Sequence, residues 1–403
     1  MSDGEELGHS RKTTEERPRT YSSPDYVFTV YRKRWLILIA FFLLNFFQCV
    51  ATICLTAFLL SLASAFNANS IVVTLANTSS ALLFLPMFVI ATQMFNTMSS
   101  RKALLICSIM LFIGVWLRPL AWLNNHFYWI VIGQTIIGLS SPITTGAVSI
   151  IANNWFADTE RAKATSLMLA SNPLGIFTTL LIQTIYGILI DKKEKAEPLT
   201  PSNTILKDEI FRMIVMESIL TSLGCIYFWI VFRTSKPPAP PSLAATRRQQ
   251  SITQGMCNDF KILMKNRNFV LLTMIFALLY AQYAGFGFIL NYLLTPLKYS
   301  SAQQAFIAMV FVLFGTIGAM STGIILDRTQ RYTLALKYST IGGTLAILSG
   351  VFFLNGTYWG GVLFAFFGGS TLTPILPIGF SLATESTHPV QPALVTGFMM
   401  SMG

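Results

Sequence analysis

Long apolar runs separated by short polar segments dominate the chain from residue 34 onward. A helix needs about 20 predominantly apolar residues to cross a bilayer, and ten runs of this kind are present. They are Trp35–Leu62, Ile71–Phe95, Ala103–Leu123, Phe127–Ala152, Ala164–Ile190, Ile210–Phe232, Phe269–Leu293, Ala302–Leu326, Leu334–Leu354 and Tyr358–Leu382. The pattern predicts an all-α membrane protein with many spans.

An eleventh apolar run begins near Ala393 and is still apolar where the sequence stops at Gly403. We expect this run to be the start of a further span and the natural protein to continue beyond it. About 10.5 spans of a protein with about 12 would then be present, as in transporters built from two six-helix halves.

The composition agrees with a membrane protein. Hydrophobic residues make up 53% of the chain and charged residues 11%, whereas a soluble domain has about 25% charged residues. The net charge of +11 does not indicate nucleic-acid binding, because the Lys and Arg residues lie mostly in short loops between spans. The five cysteines and three histidines show no ligand spacing, so no metal ion or other cofactor is predicted.

The distribution of basic residues predicts the orientation of the chain. Cytoplasmic loops of membrane proteins carry an excess of Lys and Arg, and an N-terminus inside the cytosol puts most of these residues on one side. Arg101, Lys102, Arg161 and Lys163 then lie in cytosolic loops. The glycosylation sequon that begins at Asn355 falls on the opposite side, as it should. Below, "inner" denotes the predicted cytosolic side and "outer" the other side.

Four segments follow from the spacing of the spans. Residues 1–33 are polar and are predicted to be a disordered cytosolic tail. Residues 34–233 hold six spans and form an N-terminal half, residues 234–267 form a Pro- and Arg-containing cytosolic linker, and residues 268–403 form a C-terminal half that is truncated in span eleven. A linker after six spans is typical of a two-half transporter.

The loop after span eight carries a recognisable motif. It reads Gly323-Ile-Ile-Leu-Asp327-Arg328-Thr-Gln-Arg331 and resembles the major facilitator loop motif G-x-x-x-D-R-x-G-R-[KR]. The matching loop after span two has Asn96 at the acidic position, followed by Arg101. The resemblance implies that Asp327 and Arg328 hold one state of a gate. Arg101 is a gating candidate in the first half, but the excess of basic residues on the cytosolic side explains it equally well.

Four further stretches carry a closer resemblance. They are Gly133-Gln134 with Trp155-Phe156, Ser171-Asn172-Pro173-Leu174-Gly175, the span from Phe269 to Leu293, and Leu376-Pro377-Ile-Gly379-Phe380 followed by Glu385-Ser-Thr-His-Pro389. These residues resemble the feline leukaemia virus subgroup C receptor-related (FLVCR) transporters of the major facilitator superfamily. The likeness covers nearly all of the chain from Tyr31 and implies a major facilitator fold of two six-helix halves.

The resemblance implies transport of a small organic solute. Members of the family have been linked to choline, ethanolamine, haem and, in one branch, pyridoxine. A quaternary ammonium is recognised by an aromatic cage, and the family's cage positions fall on Cys49, which follows Phe47-Gln48, and on Phe276. The family's Trp and Tyr are therefore absent here, and Pro173 stands where the family has Gln. Gln134 also matches a family position and is a candidate substrate ligand.

Polar side chains within the spans are further candidate substrate ligands, since such groups are costly in hydrocarbon. Asn45 and Gln48 in span one either line a pocket or tie helices together. Asn172 in span five either lines a pocket or belongs to a kink at the following proline. In span seven the candidates that either line the pocket or pack between helices are Tyr280, Gln282 and Tyr283.

Two acidic residues are candidates for gating or ion coupling. Glu217 lies within span six, where an intramembrane carboxylate indicates a functional site by default. Its alternative role is as a structural partner of Arg118 or Arg212. Glu385 precedes His388 in the inner loop before span eleven, and the resemblance implies a gate or an inter-helix network there.

The sequence therefore predicts a transporter that works by alternating access on choline- or ethanolamine-like cations or haem. A transporter of a pyridoxine-like vitamin or other metabolite, or a non-transporting membrane receptor, remains open. An enzyme is not predicted, because the spans show no nucleophile–base pair. The expected partners are a small-molecule substrate and the lipid bilayer, with no nucleic acid, and the protein is expected to be a monomer. The location is the plasma membrane or an endomembrane such as that of the lysosome or mitochondrion.

Overall fold

A computed structural model provides the structure of the protein. It describes residues 19–23, 26–55, 65–69, 83–196, 202–239, 256–294, 301–387 and 392–403, together with residues 58, 62, 72, 76, 79 and 390. Most of the predicted tail, the middle of the linker (residues 240–255) and His388 lie outside the described residues.

The described part of the chain is almost entirely helical. The helices are α1 (Lys33–Ile53), α2 (Phe84–Thr97), α3 (Ser100–Leu117), α4 (Leu120–Asn124), α5 (Tyr128–Trp155), α6 (Asp158–Ala196), α7 (Ser202–Val231), α8 (Met256–Lys265), α9 (Arg267–Leu294), α10 (Ser301–Thr329), α11 (Tyr332–Gly356), α12 (Tyr358–Leu372), α13 (Ile375–Ser386) and α14 (Pro392–Met402).

These helices coincide with the apolar runs. Within the described residues, seven helical segments are long and apolar enough to cross a membrane, and the α8–α9 pair, bent by 84°, is an eighth candidate. Helices α12 and α13 together make one span, Tyr358–Ser386, with a break before Pro374, which cannot donate a backbone hydrogen bond. The prediction of a multi-pass membrane protein is confirmed.

The boundaries of span five differ from the prediction. Helix α6 begins at Asp158, before the predicted start at Ala164, and continues to Ala196. The charged residues Asp158–Lys163 are therefore part of the helix and not of a loop. Carboxylates near a helix N-terminus favour this conformation. The helix also continues without interruption through Pro173.

A short hairpin departs from the prediction of a disordered tail. Strands β1 (Arg19–Ser23) and β2 (Tyr26–Val30) pair in antiparallel fashion. Alternating β-branched and aromatic residues, as in Tyr26-Val-Phe-Thr-Val, favour an extended conformation.

Each predicted half has its own hydrophobic core. One cluster is built from residues between Ile37 and Phe232 and includes Phe41, Ile137 and Phe228. A second is built from residues between Leu263 and Met399, joined by Phe88 of α2. Many large apolar side chains of the same helices point outward, as expected for surfaces that contact lipid.

A buried ion pair joins helices of the N-terminal half near its outer end. Arg118, just after α3, has no exposed surface, and its Nη2 lies 2.5 Å from Glu217 Oε2 of α7. Its Nη1 donates to the carbonyl of Ala51 in α1 at 3.1 Å. A Cβ on Gly133 would lie 2.7 Å from Arg118 Cγ, so the glycine makes room for the arginine. The structure thus contains the alternative predicted for Glu217, a structural partner.

This ion pair predicts a specific pattern of stability. Replacing Glu217 by Ala leaves the Arg118 charge buried and unpaired, which costs about 3–5 kcal/mol. The Glu217→Ala variant should therefore unfold at a clearly lower temperature in detergent. Removing both charges, as in Arg118→Leu with Glu217→Leu, should recover much of the loss, because well-packed apolar residues often replace buried ion pairs without penalty.

Glu217→Gln separates the structural role from a coupling role. The amide oxygen still accepts a hydrogen bond from Arg118, so the structural role predicts intermediate stability and a corresponding loss of function. A Glu217→Ala variant as stable as the parent protein would contradict the structural role. A stable Glu217→Gln variant without transport would favour ion coupling instead.

Candidate functional site

Helix α1 is tied to its neighbours by buried side-chain amides. Gln48 donates from Nε2 to the carbonyl of Ile137 at 2.6 Å and accepts at Oε1 from the Ser140 hydroxyl, also at 2.6 Å. Asn45 donates from Nδ2 to Ser171 Oγ at 2.7 Å. These contacts join α1 to α5 and α6, so both amides tie helices together within the N-terminal half.

Gln134 has a similar position. Its Nε2 donates to the carbonyl of Thr52 in α1, and its side chain is buried. Three of the predicted substrate ligands, Asn45, Gln48 and Gln134, are therefore engaged by the protein itself. Buried amides that bind neighbouring helices stabilise a helix bundle in an apolar surrounding, although Gln134 Oε1 has no hydrogen-bond partner among the described residues.

Cys49 and Asn172 meet where α1 crosses α6 at mid-depth. The Cys49 thiol donates to Asn172 Oδ1 at 3.5 Å. A Cβ on Gly175 would lie 2.9 Å from Cys49 Cβ and from the carbonyl oxygen of Phe46, so only glycine permits this close crossing. Asn172 is exposed although it lies within α6. Part of its side chain is therefore not enclosed by packed protein.

A row of aromatic rings crosses the C-terminal half at a similar depth. Phe276 and Tyr280 of α9 stack with centroids 5.6 Å apart, and Tyr280 and Tyr283 lie 6.0 Å apart. Phe380 of α13 extends the row at one end, 5.8 Å from Phe276. Phe311 of α10 extends it at the other, 5.8 Å from Tyr283. The rings Phe276, Tyr280 and Tyr283 follow helical spacing and share one face of α9.

The two groups of residues face each other across the two halves. Tyr280 and Tyr283 both lie within electrostatic range of Cys49. We call the set Cys49, Asn172, Phe276, Tyr280 and Tyr283 the central site. Aromatic faces attract cations, and an exposed amide oxygen accepts hydrogen bonds, so this set can hold an ammonium group or an aromatic ring.

Gln282 does not join the central site. It is exposed and lies on the other side of α9 from the aromatic row, since it is two residues from Tyr280. A pocket prediction that rested only on polarity could not make this distinction.

The inner ends of α6 and α10 are joined by a helix-capping carboxylate. Asp327 accepts hydrogen bonds from the backbone N–H groups of Ala162, at 3.0 Å, and Lys163, at 2.7 Å. These amides lie near the N-terminus of α6, where the helix dipole favours a negative charge. A Cβ on Gly323 would meet Ser166 Oγ. Gly323 therefore lets the inner ends of α6 and α10 come close together, and Asp327 links them through these hydrogen bonds.

A second contact joins α6 to α13. Arg161 forms an ion pair through Nη2 with Glu385 Oε1. An apolar cluster of Ala162, Leu326, Tyr332 and Ile378 lies between them and Asp327. We call the Asp327 cap and the Arg161–Glu385 pair together the inner gate, since both connect the N-terminal half to the C-terminal half.

Three predicted gating or coupling residues lie outside the inner gate. Arg328 is exposed and makes no ion pair among the described residues. Arg101 donates from Nε to the carbonyl of Phe232 at 3.2 Å, so it closes the inner end of α7 within its own half. Glu217 is engaged near the outer end, away from the gate.

Sequence reasoning missed the role of Arg161. It was assigned only to a charged loop, because its partner Glu385 lies 224 residues away in the chain. Within the described residues, no group of three or more His, Cys, Asp or Glu side chains is placed to bind a metal ion.

Comparison with known proteins agrees with this architecture. The family model described as Major Facilitator Superfamily matches residues 41–403. A solved structure of an MFS transporter, FucP, in the outward conformation superposes with a TM-score of 0.71 over 92% of this chain and 89% of the other, at 13% identity. This likeness shows the fold.

Curated relatives confirm the resemblance to the FLVCR-related transporters. The chain is 25% identical over 392 residues to the choline/ethanolamine transporter FLVCR1 of Felis catus, covering 96% of this chain and 68% of the relative. It is 22% identical over 380 residues to an uncharacterised MFS-type transporter of Caenorhabditis elegans, where the match covers 92% of this chain but spans 62% of the relative's length.

The helical architecture, the loop motif with Gly323 and Asp327, and the match over most of the chain all point to one assignment. The protein is a multi-pass membrane protein, and the chain belongs to the Major Facilitator Superfamily.

Proposed function

We propose that the protein moves a small organic solute across a membrane by alternating access. The observation that carries this proposal is the inner gate. Asp327 and the Arg161–Glu385 pair connect two halves that have separate cores, and the exposed amide of Asn172 lies beyond them. A rocking motion of one half against the other would break the gate and open the central site to the inner side.

The chemistry of the central site favours a small cation. Tyr280 and Tyr283 present partly exposed aromatic rings, and Asn172 supplies an exposed amide. Attraction between a cation and a ring contributes about 2 kcal/mol when the ring is desolvated. Choline- and ethanolamine-like solutes match this chemistry, and a relative named for these solutes supports them as the first candidates.

The stacked rings also favour a second class of substrate. Phe276 and Tyr280 are nearly parallel, with an interplanar angle of 10°, a geometry that extends readily to a planar aromatic ligand. A pyridoxine-like vitamin is therefore the second candidate, and haem the third.

Uptake into proteoliposomes tests the proposal. Purified full-length protein should accumulate labelled choline or ethanolamine above protein-free liposomes, with pyridoxine and haem measured in parallel. Uptake of pyridoxine alone would assign the second candidate. Absence of uptake for all four solutes would favour a non-transporting receptor.

The central site predicts a graded response to changes at Tyr280. Tyr280→Leu removes a ring face from the site and should raise the KM for choline or ethanolamine about tenfold, the equivalent of about 1.4 kcal/mol. Tyr280→Phe keeps the ring face and should stay close to the parent.

Phe314 supplies the matched control. It pairs with Phe366 at 4.5 Å, outside the aromatic row, so Phe314→Leu should leave KM unchanged. Equal KM values for Tyr280→Leu and Phe314→Leu would mean that the aromatic row does not bind the solute.

The inner gate predicts a shift in conformation when Asp327 is changed. Asp327→Asn loses the charge and one acceptor oxygen, which weakens the cap on α6 by about 2 kcal/mol and shifts the open–closed equilibrium about 30-fold. A cysteine introduced at the buried Ile378 should then react much faster with an impermeant maleimide from the inner side.

Arg328→Gln is the control for charge. Arg328 follows Asp327 in the chain, and this substitution likewise changes the charge of the loop by one unit. The Arg328 side chain is exposed and takes no part in the contacts of the inner gate. The Ile378→Cys reactivity should stay at the parent value in this variant. Acceleration by Arg328→Gln as large as by Asp327→Asn would show that loop charge, not the cap, holds the gate.

A further inference from the structure

A small cavity lies between the central site and the inner gate. Side chains of α5, α6 and α13 line it, so that both halves contribute. The lining residues are Ser149, Ala152, Asn153, Arg161, Thr165, Phe380, Ser381 and Thr384. Phe380 also stacks on Phe276, so one ring belongs both to the cavity wall and to the aromatic row beside the central site.

Three polar side chains of this cavity are buried without a hydrogen-bond partner in the described part of the chain. They are Ser149 Oγ, Asn153 Nδ2 and Ser381 Oγ, in residues that are 4–5% exposed. Buried polar groups are normally satisfied. The cavity measures about 10 Å³, which is room for about one water-sized group. Three unsatisfied groups around it therefore indicate that a water molecule or a single hydroxyl group of a ligand satisfies them.

The other two hydroxyl groups of the cavity, in contrast, have hydrogen-bond partners. Thr165 donates to the carbonyl of Arg161 at 2.9 Å, and Thr384 donates to the carbonyl of Phe380, also at 2.9 Å. Both hydroxyl protons are donated within their own helices, so these groups can offer a ligand only an acceptor oxygen. The unsatisfied groups thus lie on α5 and α13, which belong to opposite halves.

The chemistry of the three groups defines the class of ligand. Serine hydroxyls both donate and accept, and the Asn153 nitrogen donates. The one basic side chain of the lining, Arg161, is paired with Glu385, so no net charge is offered. A neutral group that donates and accepts at once, such as an alcohol hydroxyl, satisfies this set.

We propose that Ser149, Asn153 and Ser381 form an inner station of the transport pathway, which binds a hydroxyl group of the solute between the central site and the inner side. The inference rests on the proposed transport function. When the inner gate opens, α13 separates from α5 and the station faces the cytosol. When the gate is closed, water fills the same role.

Thiol accessibility tests the position of the station without a known solute. Ser381→Cys is compared in the full chain with Thr273→Cys, at a similar depth in α9, where the side chain is also buried but lies outside the cavity. Both carry Glu385→Gln, which weakens the gate. Ser381→Cys should react with an impermeant maleimide from the inner side at least about tenfold faster.

Equal rates at the two positions would overturn the proposal, since the cavity would then not open toward the cytosol. Ser149→Cys provides a second reporter on the opposite wall if Ser381→Cys folds poorly. It should give the same acceleration relative to Thr273→Cys.

Uptake tests the ligand class. Choline and ethyltrimethylammonium share the same ammonium group and differ by one hydroxyl. The parent protein should take up choline with a KM about fivefold lower, the effect of about one neutral hydrogen bond. Ser149→Ala with Ser381→Ala should abolish this preference, whereas Thr273→Val, which also removes a buried hydroxyl, should retain it.

A preference that survives in the double variant would overturn the assignment of the hydroxyl site. Failure of the parent to take up either solute, or ethanolamine, would instead count against the proposed cation transport. In that case the maleimide labelling of Ser381→Cys and Thr273→Cys still tests the inner station, because it needs no solute. Failure of the station and failure of the proposed cation transport are therefore distinguishable.

Discussion

The cap that Asp327 places on the N-terminus of α6 holds together the inner ends of two helices from opposite halves. The Asp327 carboxylate of α10 accepts hydrogen bonds from two backbone N–H groups of α6, and Gly323 lets the helices come close enough for them to form. Backbone amides do not change with side-chain identity. The Asp327 carboxylate is therefore the part of the contact that depends on residue identity. Its removal should weaken the interface between the two halves.

Contacts within the N-terminal half differ in kind from those of the gate. Gln48, Asn45 and Gln134 bind backbone or side-chain groups deep inside the half, and Arg118 is held by Glu217 without exposure to solvent. Such groups are costly to expose in a bilayer, so they favour movement of the half as a unit. The gate contacts lie at helix ends, where water can replace them at lower cost.

The central site lies between these two regions. Asn172 is exposed at mid-depth, and the rings of Tyr280 and Tyr283 are partly exposed, whereas Phe276 is fully buried. Under the proposed function, a few side chains on α6 and α9 select the solute. Cys49 packs against the Gly175 crossing, so a larger side chain there would have to displace α6.

The fold could be predicted from the sequence to a large extent, because a bilayer-spanning run is a local property. The motif also identified Asp327, since its spacing from Gly323 places both on one face of α10. The Arg161–Glu385 pair could not be predicted, because nothing in the sequence around either residue indicates that the other is its partner. Nor could sequence decide whether Gln48 binds solute or a neighbouring helix. Both roles use the same amide, and only the position of Ile137 and Ser140 separates them.

The central claim is that the two halves move as units about the inner gate. Distances between spin labels at Lys102 of the N-terminal half and Thr329 of the C-terminal half, both exposed at inner ends, test it most directly. The account predicts one short distance in the parent and an added longer one in Asp327→Asn, while a Lys102–Thr159 pair within one half stays fixed. An unchanged distance across the gate, or a change within the half, would contradict it.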